Sequence, residues 1–167
     1  CAMAADDAGT AMLFGGARTM AWTAALQVPI VYQGGDTWRL DGSGFSRVQS
    51  GGPDYQQDAI LAYDSARGRI VSSGLVCADL QPRPMWEWDD AGWHEIQCTP
   101  LPWLIGGSMC FDAARARTVW FGGARPVNGG LPVPQRDLYE WDGASWALRA
   151  VSATPPARAY HAMAYDG

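Results

Sequence analysis

The sequence predicts an all-β fold made of repeated four-stranded antiparallel sheets, and three observations carry that prediction. A short apolar segment closing in Asp recurs at a spacing of about 50 residues, at 2–6, 60–64, 108–112 and 162–166. Aromatic residues fall in columns that keep their register from copy to copy. Gly-Gly and Asp-Gly pairs stand where apolar runs must end or reverse. Composition agrees. With 48% hydrophobic and 17% charged residues the chain opposes disorder, and 167 residues suffice for one well-buried domain.

The recurring segment is the first strand of each repeat. Its small and larger apolar residues suit a strand buried on both faces. The closing Asp caps the following turn through its carboxylate, and Gly9 and Gly68 supply a left-handed position. The third copy, Asp112-Ala-Ala-Arg-Ala-Arg117, lacks that glycine, so its turn is expected to differ. Second strands follow at 11–14, 69–71 and 118–121. They end in Gly15-Gly16, the degraded Gly74-Leu75, and Gly122-Gly123, where backbone needs positive φ or a neighbour approaches closely.

Loops of unequal length come next, at 17–35, 76–83 and 124–136. The third strands, 36–41, 85–89 and 137–142, set Trp38, Trp86 and Tyr139 in one column and Leu40, Trp88 and Trp141 in another. Asp41-Gly42 and Asp142-Gly143 turn these into fourth strands opening on Phe45, Trp93 and Trp146. One repeat is thus a four-stranded meander, and such sheets repeated around an axis form a β-propeller. The expected blades span 1–57, 58–106 and 107–158, with the first strand of a further blade at 159–167.

These residues resemble Kelch repeats, particularly bacterial ones and those of the galactose oxidase central domain. The resemblance rests on Gly15-Gly16 and Gly122-Gly123, on Trp141 and Trp146 with their copies, on the run 63–71, and on the run 155–166. It spans essentially the whole chain and implies propeller blades. The second repeat departs most, with Gly74-Leu75 for the diglycine and Ser72-Ser73 where apolar residues belong. Family propellers usually close with five to eight blades, so three make a partial propeller. A segment of a longer protein is expected, with a self-associating half-propeller as the alternative. Because residue 1 already falls inside a repeat, no visible leader bears on secretion.

Composition also excludes functions. A formal charge of −5 disfavours nucleic acid, and no apolar run is long enough to span a membrane. All basic residues are Arg, so neither Schiff-base lysines nor phosphate-loop lysines exist here. The cysteines, Cys1, Cys77, Cys98 and Cys110, form no Cys-x-x-Cys pair, and only His94 and His161 could join them on a metal. No metal site and no cofactor are expected.

No catalytic constellation stands out, because the aspartates recur once per repeat as turns require. The resemblance to galactose oxidase brings no copper set, since the required tyrosines and histidines are not present together. Most tryptophans sit in repeat columns and read as packing. Trp22 and Trp103 lie outside them and leave binding and packing both open. His161 reads as a structural hydrogen-bonding residue, His94 as exposed, and Cys110 as a small buried filler. Cys77 and Cys98 fall at one end of the second repeat, leaving a disulfide open; forming it requires an oxidising compartment. An extracellular or envelope location is favoured over the cytoplasm.

Recognition is expected in the variable loops. The candidates there are Arg18, Trp22 and Tyr32 in the first repeat, Trp103 between repeats, and Arg125, Asn128 and Arg136 in the third. The leading expectation is a non-catalytic module binding a protein or carbohydrate. The alternatives are a part of a larger propeller enzyme with its active residues outside this chain, and a self-associating structural unit.

Overall fold

A computed structural model describes residues 2–15, 17–23, 28–33, 35–53, 57–75, 84–98, 101–127 and 130–166, and of 17–23, 28–33, 57–58 and 74–75 the backbone alone. Among these residues every regular element is a strand. Sheet one contains β1 (Ala2–Ala5) and β2 (Ala11–Phe14). A separate hairpin of β3 (Ala17–Thr23) and β4 (Val28–Gln33) follows, before β5 (Thr37–Asp41) and β6 (Gly44–Gln49) complete the sheet. Sheet two is β7 (Gln57–Asp64), β8 (Arg69–Leu75), β9 (Met85–Asp89) and β10 (Gly92–Ile96). Sheet three begins with β11 (Ser108–Asp112) and β12 (Arg117–Phe121). After the small hairpin β13 (Ala124–Arg125) and β14 (Val133–Pro134) it ends with β15 (Leu138–Trp141) and β16 (Trp146–Arg149). Each sheet is an antiparallel meander in sequence order, and the three do not close on themselves.

Residues paired across an antiparallel sheet share a face, so the register states what each face carries. Leu61, Tyr63, Ile70, Trp88 and Trp93 of sheet two meet Met12 and Phe14 of sheet one. The opposite face, with Ala62, Val71 and Met85, meets Met109, Trp120, Tyr139 and Trp141 of sheet three. Leu101 and Leu104, from the connection between these sheets, join the second core. β1 lies against β7, and β7 against β11. The aromatic columns of sheets two and three therefore face the preceding sheet, while the equivalent residues of sheet one face outward. Two equivalent indoles fasten the joints: Trp93 donates to the Thr37 hydroxyl of sheet one at 2.8 Å, and Trp146 donates to the Met85 sulfur of sheet two.

The third-repeat diglycine has two physical causes. Gly122 and Gly123 take φ of +68° and +93°. In addition, a Cβ on Gly122 would lie 2.6 Å from the Arg158 carbonyl oxygen, while Gly123 N–H donates to that oxygen at 2.9 Å. The returning chain at 158 thus presses directly on the end of β12.

Several expectations change. The segments 17–35 and 124–136, expected as loops, carry the two hairpins. β8 runs to Leu75 rather than 71, with Ser72 fully buried in it. Residues 162–166, expected as a first strand, form no strand, and no described strand pairs with them. Their anchors are the bond from Ala114 N–H to the Tyr165 hydroxyl at 3.3 Å and the contacts of 158–161 with sheet three. In sheet one's β5–β6 hairpin the left-handed residue is Gly44, at +115°, rather than Gly42.

The turn of the third repeat keeps the geometry of the second, with Ala116 at φ +50° where Gly68 has +62°. It is sheet one's turn that differs. Asp64 pairs with Arg69 and Asp112 with Arg117, each spanning four residues, whereas Asp6 N–H bonds the Thr10 carbonyl across three.

Candidate functional site

The hairpins β3–β4 and β13–β14 both leave their sheets after the second strand, so they project from the same end of the molecule. β3 and β4 pair Thr19 with Tyr32 and Trp22 with Pro29, and Arg18 falls at the register shift between Ala17 and Thr19. This places Arg18, Trp22 and Tyr32 on one projecting hairpin. Asn128 lies outside the described residues.

In the third repeat Arg125 is exposed on β13 and pairs with Val133. The hairpin also exposes Val127 at 47%, Leu131 at 88% and Val133 at 51%. The Gln135 amide N–H closes it onto the Gly123 carbonyl at 2.7 Å. Arg136, also exposed, lines an open cleft of about 590 Å³ with Leu138, Leu148, Arg149 and Val151. Arg125 thus shares the hairpin with the exposed aliphatic residues, and Arg136 follows the hairpin where the chain enters β15. Sequence reasoning named the arginines and missed the aliphatic residues, whose signal was their position in a Pro-interrupted stretch unable to enter a sheet core.

Trp103 is half-buried in the connection between sheets two and three, two residues before Ile105, which bridges Ala124 of β13. Its indole nitrogen is buried without a hydrogen-bond partner among the described residues. Cys98 is half-buried and packs on the core between sheets two and three, where burial pushes its thiol up. Cys77, named as its disulfide partner, lies outside the described residues. Cys110 is half-buried rather than filled in, because the face of sheet three that carries it has no further sheet against it; burial raises its thiol too.

His161 departs from the expectation of a structural hydrogen bond. Both ring nitrogens are buried without a partner among the described residues, and the ring makes an edge contact with Phe121 at 5.7 Å. Burial, helped by Arg158, keeps its pKa below the usual value. His94 is exposed as expected, and its Nε2 lies 2.9 Å from Asp89 Oδ1. That contact first, then the Ala91 amide, holds the Asp89 carboxyl down to about 2.

The acidic residues behave as turn formers. Asp6 accepts from the amides of Ala8 and Thr10, Asp41 from Ser43, Asp112 from Arg115, and Asp142 from Ala144 and Ser145. Beneath them lies a pattern that sequence reasoning missed. Glu87 and Glu140, in one column of the third strands, are buried at 4% and 6% exposure. Each meets an arginine from its own sheet's first turn: Arg67, bonded to Asp64 and Glu87, and Arg115, bonded to Asp112 and Glu140. Arg149 also bonds Glu140 at 2.8 Å. In sheet one the same column holds Arg39. The signal was legible as Asp-x-x-Arg in two first turns together with Glu between aromatics in two third strands.

Among the described residues no group of His, Cys, Asp and Glu is placed to hold a metal ion, and no helix is long and apolar enough to cross a membrane. No protein-family model matches the chain, and no curated protein matches it.

Proposed function

We propose that this chain is a Kelch-type β-propeller segment acting as a non-catalytic binding module, with its recognition surface at the hairpin end. The blade reading is supported by three sequential meanders with adjacent first strands, and by aromatic columns that face the preceding sheet in sheets two and three. The binding reading is carried by one observation. The β13–β14 hairpin holds Val127, Leu131 and Val133 out to solvent beside Arg125 and Arg136. Clustered exposed aliphatic side chains mark interaction surfaces, and arginine is enriched in them. The best fit is a protein segment combining aliphatic residues with carboxylates, with a glycan as the alternative ligand.

Selection from a displayed random-peptide library tests this. The native chain is expected to enrich peptides with Asp or Glu flanking aliphatic residues, and Leu131→Asp with Val133→Asp should weaken their binding at least about tenfold. Unchanged binding by that double variant would move recognition elsewhere.

Self-association is a second reading, supported by the far face of sheet one. There Met3 is 50% and Phe45 58% exposed, beside half-exposed Leu13, Trp38 and Leu40. Of the corresponding columns, Trp88, Tyr139 and Trp141 are buried and Trp86, Trp93 and Trp146 half-buried.

A further inference from the structure

We propose that the cleft between sheets one and two around Arg39 binds a neutral, hydroxyl-rich ligand, the terminal sugar of a glycan. It lies at the turn end, opposite the projecting hairpins, and so is separate from the recognition surface above. The cleft measures about 360 Å³ and is lined by Asp6, Thr10, Arg39, Tyr63, Asp89 and Asp90, with Met12, Ile70 and Trp88 beneath. That volume is at the small end for ligand pockets.

The cleft exists because the repeat is broken here in two places at once. In sheets two and three the space under the first turn is filled by Arg67 or Arg115 reaching the buried Glu87 or Glu140. Sheet one's turn is one residue shorter and offers no arginine. Its third strand carries Arg39 in place of the glutamate, which reverses the charge at the base of the space. Arg39 does not replace the lost ion pair. Among the described residues its guanidinium, 40% exposed, pairs with Asp90 at 3.8 Å, and its Nε is buried without a hydrogen-bond partner. A buried donor left unpaired costs free energy, which a ligand acceptor would recover. The space under the first turn is thus open in sheet one and filled in sheets two and three.

The surrounding charge selects the ligand. Asp6, Asp89 and Asp90 disfavour an anion on Arg39. Arg39 on the strand wall disfavours an organic cation, and Asp89 is already occupied by Arg69 at 2.7 Å and by His94. A hydroxyl group suits both demands, accepting from Arg39 and donating to Asp6 or Asp90. The remaining wall, from Met12, Ile70 and Trp88, matches the C–H face of a sugar ring.

Nitrogen-edited NMR of the chain with glucose, galactose, mannose and N-acetylglucosamine, with agmatine and acetate as charged controls, tests the proposal. At least one sugar should bind with a Kd on the order of 1 mM, shifting the Trp88 indole and Arg39 Nε–H signals. Arg39→Met and Asp90→Asn should each weaken it about tenfold, whereas Arg47→Met, on the opposite face of sheet one, should leave it unchanged. Thermal unfolding of each variant separates loss of binding from loss of fold. The proposal is overturned if no sugar shifts those signals, if agmatine or acetate binds more tightly, or if both site variants, folded, bind like the native chain. The Leu131→Asp, Val133→Asp chain should retain sugar binding, so failure at the hairpin end and failure here are read separately.

Discussion

Ala116 shows how a single residue can stand against its own conformational preference. It holds φ +50° at the turn position where Gly68 holds +62°, so the turn is imposed by Asp112 and its partners rather than by local preference. A left-handed alanine costs roughly 1 kcal/mol, part of which glycine returns as unfolded-state entropy. Ala116→Gly is therefore expected to raise stability by up to about 1 kcal/mol, measured as a higher urea midpoint at unchanged m. A lower midpoint would show that the turn gains something specific from the methyl group. The sequence displayed the missing glycine, and from this a different turn was expected. What it could not display is that the carboxylate cap and the Arg115 ion pairs outweigh the cost of keeping the same turn.

At the scale of the element, the pairing of first turn with third strand makes the sheets unequal. The Glu87 side chain is 5% exposed, and Arg67 lies 2.6 Å from it while Arg69 is 3.9 Å away. Burial alone would raise the Glu140 pKa, yet the hydrogen bonds of Arg115 and Arg149 hold it below the usual carboxylate range. Removing one partner of a buried pair strands the other charge. Arg67→Met is thus expected to cost about 3 kcal/mol. Arg115→Met should cost only about 1 kcal/mol, because Arg149 stays on Glu140. Equal losses in chemical denaturation would contradict this ranking. The strands around these pairs were legible, since aromatic columns at fixed spacing admit one register. The two hairpins were not, because Gly, Pro and weak alternation hide short pairings that no core face demands. The Arg39 cleft was also hidden. Seeing it requires matching a turn one residue short to a substitution about thirty residues away, and only pairing registers make that match.

On the scale of the molecule, sheet two is, among the described residues, the one sheet with another sheet on both faces. Sheet one leaves Met3, Trp38, Leu40 and Phe45 facing outward, while residues 158–161 lie on the outer face of sheet three. If copies join head to tail, the apparent mass in light scattering should rise above 18.0 kDa with concentration, and Phe45→Ser should restore the monomer. A native chain that stays monomeric at about 100 μM would remove the self-association reading. The meander order has a further consequence. Each sheet is continuous in the chain, so its four strands pair within their own repeat, and among the described residues the repeats are linked by side-chain joints and by the short backbone bridge of Ile105 with Ala124. Loop closure within a sheet is short, so entropy favours local closure before docking. Sheet one can form while sheet three is still being synthesised, and each new sheet then docks its tryptophan face onto a surface already in place. Order along the chain is thus expected to become order of docking, with earlier sheets formed before later ones close on them.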